Sequence, residues 1–329
     1  MTIKTSELKR NNHYIWKHYL SKWCYDSKNV FFSSEHGKVS SVPFASKNSQ
    51  CHFYKAKSLT LDQLDFIMDL SKQSIPELHQ IHLDRLEPFI EMQELCKVLG
   101  ENKPEKVEKE FEHFATNTME DMHTRVENDF RPILDALVEG KFDVLESRDN
   151  RNLLITCIFI AQQYMRTKNL KDSMILLTNM KNINFDNKLI DDCWWFVSYL
   201  LGMNVSFDLY STLHERNVAF LVNNTASTFI TGDQPVINIH PSQNEDLFIS
   251  AVGADIYYPL SPKFALVIAE SATFGTGRVE VTDEQVDTLN TLMAKRSHTH
   301  FFSDQKAQIQ KYKKFKGKCH NVLSTFIED

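Results

Sequence analysis

Near Asn217 the hydrophobic pattern of this chain changes period, and no other feature limits the fold as strongly. From residue 60 to residue 203, apolar side chains recur at helical spacing. Beyond 217 the period is two, in "NVAFLVNN", "STFITGD", "QPVINIH", "DLFISAVG", "DIYYPL" and "KFALVIAE", separated by turn residues such as Gly232, Pro235 and Pro262. The N-terminal part adds "NVFFSS" and "CHFYKAK" as strands around a polar loop containing Pro43, after a short ring-rich helix over residues 12–25. The expected fold class is α+β: a helical middle packed with a mostly antiparallel sheet formed from the N-terminal and C-terminal parts. That arrangement predicts a single compact domain over 1–329, with no independent N-terminal unit.

The helical middle has local punctuation. Thr60 is a candidate N-cap, Pro76 suits a first helical turn and Gly100 suits a C-cap. "ENKPEKVEKEF" is a linker or a solvated helix start, and helices are predicted in "MEDMHTRVENDFRPILDALVEG", in "SRDNRNLLITCIFIAQQYMRT" and around "IDDCWWFVSYLLGM". Thr282 caps a helix over "TDEQVDTLNTLMAKRS", "THFFSD" is a last strand, and "GTGR" at 275–278 reads as a hairpin tip. With 9 Gly and 9 Pro in 329 residues, long helices and few tight turns are expected.

Composition excludes more than it selects. No apolar run reaches the roughly 18 residues of a membrane span, and the first ten residues hold no apolar signal core. The six cysteines form no CxxC pair and several lie in apolar runs, which suits free thiols in a reducing cytoplasm. The net charge is −6, yet residues 306–318 hold six lysines and no acid, a basic tail in which Tyr312 and Phe315 are interleaved. Lys311, Lys313 and Lys314 are its candidate contacts to a nucleic-acid backbone; a solvated helix is the plainer reading. Phosphate loops, HExxH and GxSxG are absent. "HQIH" (His79, His82) and "HTH" (His298, His300) have the spacing to share a divalent ion, or to lie on a solvated helix and a half-buried strand.

Some polar residues fall where the period places apolar ones. Glu127 borders the stripe of Val126, Phe130, Ile133, Leu134 and Leu137, while Gln162 and Arg166 share a face with Ile155 and Phe159. A guanidinium on an apolar face needs a partner once buried. Glu127 and Arg166 therefore form either an ion pair locking two helices or a pocket in which Arg166 holds a phosphate or carboxylate, supported by Gln162 and Gln163. Asp233 ends an apolar strand, where it caps a turn or serves a site. His13 is an acid–base group, a ligand, or a satisfied histidine among rings.

These segments, "HYIWKHYLSKW", "VENDF", "AQQYMRT", "ITGDQPV", "YYPLSPK" and "VDTLNTLMAKRSHTHFFS", resemble in order the bacterial family of unknown function DUF4238. Here Trp16 stands where the family usually has proline, Asn12 where a second histidine is common and Trp23 where phenylalanine is usual, and residues 60–120 read as a helical insertion. The resemblance implies a fold family and no activity. The residues themselves support two classes of function. In one, His13, Glu127, Arg166 and Asp233 form the catalytic centre of a phosphodiester hydrolase, a nuclease-like toxin or defence effector, with or without a divalent metal ion. In the other, the same residues bind a small anionic ligand or nucleic acid without catalysis, or only fix the fold.

Overall fold

The computed structural model describes residues 8–9, 11–13, 15–34, 37–46, 49–51, 54–100, 104–146, 151–180, 187–242 and 253–318, with the backbone alone at 11–13, 49–51, 176–180 and 187. The helical middle begins at α2 (Leu61–Ser71), preceded by a short α1 (Lys17–Ser21). It continues through α3 (Pro76–Leu99), α4 (Glu105–Val138), α5 (Arg151–Met165), α6 (Lys168–Met180) and α7 (Asn187–Ser211). Local chemistry sets several of the ends. Thr60 and Gln63 close a reciprocal capping box at the start of α2, Pro76 occupies the first turn of α3, and Gly100 at φ 54° ends it. The polar "PEKVEKEF" stretch continues directly into the 34-residue α4, a rod of about 50 Å, because its charges face solvent and its glutamates sit in the first turn.

Among the described residues the strands form three sheets. The first pairs β1 (Asn11–His13) with β4 (Ser49–Cys51). A four-stranded sheet has the order β3 (Val39–Pro43), β2 (Asn29–Ser33), β11 (Phe301–Ser303), β6 (Thr231–Gly232). It thereby joins N-terminal to C-terminal strands, all antiparallel. A five-stranded sheet has the order β10 (Gly277–Glu280), β5 (Asn217–Val222), β9 (Phe264–Ala269), β8 (Asp255–Pro259), β7 (Ile237–Asn238). Within it β10 runs parallel to β5. The capped α8 (Asp283–Arg296) precedes β11, and α9 (Lys306–Tyr312) follows it.

Several expectations are corrected. His13 lies on β1 and not on the ring-rich helix, which starts only at Lys17. Residues 54–60, which continue from "CHFYKAK", are irregular: the fully buried Tyr54 ring anchors a coil segment. Pro43 ends an edge strand instead of sitting in a loop, a place where its missing N–H costs no ladder bond. "GTGR" is not a hairpin tip: Gly275 and Gly277, both at positive φ, turn the chain into edge strand β10. Residues 170–203, whose periodicity predicts one helix, belong to two, α6 and α7. Most of "DLFISAVG" lies outside the described residues.

Two apolar cores result. One is built from α1, the second half of α4, α5 and the two larger sheets. The other packs Tyr54, Ala56 and Leu59 with α2, α3, the first half of α4 and α7, including Trp194 and Trp195. Among the described residues no helix is long and apolar enough to cross a membrane.

Candidate functional site

Between the two cores, α4 meets α5 through polar side chains. His123 and Glu127 lie one turn apart on α4; Gln163 and Arg166 lie on and just beyond the last turn of α5. Arg166 Nη2 donates to Glu127 Oε1 at 2.7 Å and to Gln163 Oε1 at 2.5 Å. Arg166 is 2% exposed, whereas the Glu127 side chain keeps 16% of its surface. Tyr54 fixes the end of the helix from outside, donating its hydroxyl to the Arg166 carbonyl at 2.5 Å, and its ring lies 4.7 Å from that of His123. From the sheet side comes Tyr258 of β8, stacked on Tyr19 of α1 at 5.0 Å and against Phe159 of α5 at 5.9 Å. Tyr19 itself is saturated: it donates to the Pro259 carbonyl at 2.6 Å and meets the Thr231 hydroxyl at the same distance.

The centre is only half satisfied. Arg166 Nε, His123 Nε2 and the Tyr258 hydroxyl are buried without a hydrogen-bond partner. Burial lowers the His123 imidazole well below its ordinary pKa, and the Arg166 guanidinium adds to that, so it is neutral at pH 7. Burial also raises the Tyr258 phenol, with Tyr19 adding to it. The Glu127 carboxyl is raised by burial, against the pull of Arg166 and of Lys9. Lys9 crosses α4 nearby: its backbone N–H donates to Asn117 Oδ1 at 2.9 Å and its ammonium to Asp121 Oδ1 at 2.7 Å. The strand β1 that carries His13 follows immediately; the His13 side chain lies outside the described residues.

Asp233 has a different environment. One carboxylate oxygen accepts the His298 N–H at 2.7 Å; the other accepts the Thr299 N–H at 2.6 Å, the Thr299 hydroxyl at 2.7 Å and the His300 N–H at 2.9 Å. Three successive backbone donors after α8 form an anion-binding nest, and Asp233 fills it. Gly232 lets the turn lie against this loop, since a Cβ there would come within 2.0 Å of Ser297 Oγ. Asp233 is therefore a loop anchor with its acceptors occupied. Its neighbour Gln234 reaches α5, accepting the Thr167 hydroxyl.

Gln162 and Gln163, adjacent in sequence, point to different partners. Gln163 serves Arg166, whereas Gln162 donates to the Tyr199 carbonyl of α7 at 3.3 Å and packs on Gly202, where a Cβ would lie 2.6 Å from its Nε2. The histidine pairs also separate from the metal expectation. His79 and His82 share the Ser71 hydroxyl at 2.8 and 3.0 Å, and His300 Nδ1 meets the Ser33 carbonyl at 3.0 Å. Among the described residues no three His, Cys, Asp or Glu side chains converge to hold a metal ion. In the tail, Lys311 pairs with Asp287 at 2.6 Å, and Tyr312 is fully buried with its hydroxyl on the same carboxylate at 2.8 Å, so its face is closed to a base. Lys313 and Lys314 are exposed.

A family model described as "protein of unknown function (DUF4238)" matches residues 11–307. The chain belongs to the DUF4238 family. No curated protein and no solved structure matches it. The span matched to DUF4238 includes His13, Glu127, Arg166 and Asp233 and ends before Lys311. Sequence reasoning missed His123, Tyr54 and Tyr258. His123 had a legible signal, a histidine seven residues before Phe130 on the same α4 stripe; nothing in the sequence sets Tyr54 and Tyr258 apart from core rings.

Proposed function

We propose that the Arg166 centre binds a small ligand bearing acceptor oxygens, a carboxylate or a phosphate, and that this DUF4238 protein is a binding module for it. The observation that carries the proposal is the set of buried polar atoms without partners: the donors Arg166 Nε and the Tyr258 hydroxyl, and His123 Nε2, which donates in one neutral tautomer, around a guanidinium whose Nη2 is already committed. A buried donor left unmade costs about 1–3 kcal/mol, so an oxygen-rich ligand recovers energy that the free protein forgoes. Charge-assisted bonds to a guanidinium are the stronger kind, which selects an anion. Entry is on the Glu127 side, where the side chain retains solvent contact beside the Lys9 segment.

One observation favours a second reading of the same centre, phosphodiester hydrolysis of the nuclease-like, toxin or defence type. The raised Glu127 carboxyl and the neutral His123 are acid–base groups next to a cation fit for a phosphate. Asp233 has no part in it, being saturated by the loop. Free thiols at Cys24, Cys96, Cys157 and Cys193 support a reducing, cytoplasmic setting for either reading.

The test is a thermal-shift and calorimetric screen with inorganic phosphate, mononucleotides and di- and tricarboxylates, alongside turnover of bis(p-nitrophenyl) phosphate. Binding that raises the Tm of the wild type and is weakened in Tyr258→Phe and Arg166→Lys supports the module. Turnover lost in Glu127→Gln with binding retained selects the hydrolase. If no anion binds while Tyr258→Phe is more stable than the wild type, the centre only fixes the fold.

A further inference from the structure

The basic tail divides into lysines that hold the fold and lysines that do not. Lys311 is tied to Asp287, and Lys316 Nζ donates to the Ser34 and Thr299 carbonyls at 2.6 and 3.0 Å. Both belong to the scaffold. Lys306, Lys313, Lys314 and Lys318 are exposed, and no ion pair engages them among the described residues. The segment that displays them is not a frayed end. Ile309 and Tyr312 are fully buried, and the Gly317 N–H donates to the Ala294 carbonyl of α8 at 3.2 Å, which sets the turn beside Lys295 and Arg296. The Phe315 ring supports two of the cations, with Lys314 and Lys318 at 4.9 and 5.4 Å from its centroid.

We infer that Lys306, Lys313, Lys314 and Lys318 form a docking surface for a nucleic-acid backbone, independent of the Arg166 centre. A rigid display of unpaired ammonium groups fits a polyanion of regular charge spacing. The burial of Tyr312 and the covering of Phe315 by lysines remove the stacking platform that base contact needs, so the surface reads phosphates and not sequence. The one apolar ring of residues 311–318 that is not fully buried, Phe315, is half-buried and lies against Lys314 and Lys318, which leaves little to insert between lipids and favours nucleic acid over an anionic membrane.

The test is fluorescence anisotropy of the full chain with single-stranded and duplex oligonucleotides of unrelated sequence across a salt series. Four phosphate contacts predict a slope of log K against log salt near −3 for single strands and about −3.6 for duplexes, with equal affinity for all sequences. Lys313→Glu/Lys314→Glu, which keeps the Lys311 and Lys316 contacts and removes only that of Lys314 with the Phe315 ring, should at least halve the slope and lower affinity at least tenfold while the protein stays folded. No binding by the wild type at about 50 mM salt overturns the inference, as does binding unaffected by the double substitution or dependent on sequence. Binding of phosphatidylserine vesicles in preference to oligonucleotides overturns it in favour of a membrane.

Discussion

Glu127, half-buried, and Asp233, buried, are two carboxylates of one protein with opposite surroundings. Asp233 is met by three backbone N–H groups and a hydroxyl, all supplied by one loop. Glu127 is met by a guanidinium in a cluster where three further polar atoms stay unpaired. A saturated carboxylate has no capacity left and holds structure. A half-satisfied cluster carries an energetic penalty that a ligand can remove, which is why the second region, and not the first, is the candidate site.

The largest effect that tests this contrast is expected at Arg166. Arg166→Met leaves Glu127 buried opposite an apolar side chain and should cost about 3–5 kcal/mol in denaturant unfolding. Adding Glu127→Leu should return the protein to within about 1 kcal/mol of the wild type, because the pair is expensive to split and cheap to replace. A double variant as unstable as the single one would mean the pair itself holds the helices, and the ligand reading would lose its basis. Next is Asp233→Ala, which leaves the 298–300 nest empty. A loss of about 3 kcal/mol is expected, moderated by water reaching a half-buried loop, with ligand affinity at the Arg166 centre unchanged. Loss of binding in a folded Asp233→Ala protein would place Asp233 in the site after all.

A pH effect is predicted at the Ser71 hub. Burial lowers the His82 imidazole from 6.5 to about 4, with His79 adding to the shift. Its folded pKa lies below the unfolded one, so the unfolded chain takes up the proton first. Stability is full above pH 6.5, falls as the pH drops from 6.5 towards 4, and levels off below that. The Tm of His82→Gln should fall less over this interval than that of the wild type, and parallel curves would refute the assignment. The smallest change in stability belongs to Tyr258→Phe. Deleting a buried hydroxyl without a partner should shift the unfolding free energy by less than about 1 kcal/mol, towards greater stability. Affinity for the bound anion should meanwhile fall about tenfold, a loss near 1.4 kcal/mol. A destabilisation above about 2 kcal/mol would reveal a structural partner for the phenol and remove one donor from the site.

The sequence by itself determined the kind of each long element and several of its ends. Helical and alternating periods follow from backbone geometry, and a cap is decided within four residues, as Thr60 with Gln63 and Thr282 with Gln285 demonstrate. It also marked Glu127 and Arg166, because polar groups on an apolar stripe stand out before any contact is known. Only the tertiary structure decided which polar groups meet. Arg166 and Glu127 are 39 residues apart, Asp233 and its nest 65–67 apart, and Phe31 of β2 pairs with Ser303 of β11 from the far end of the chain. Gln162 and Gln163 differ by one position, yet about 100° of helical rotation sends one to α7 and the other to the guanidinium. Tyr312 looked like a ring offered among lysines until the packing of α9 closed its face. Local rules act along the chain, whereas satisfaction of a buried group depends on the path of the whole chain, and that path exists only once the core has formed.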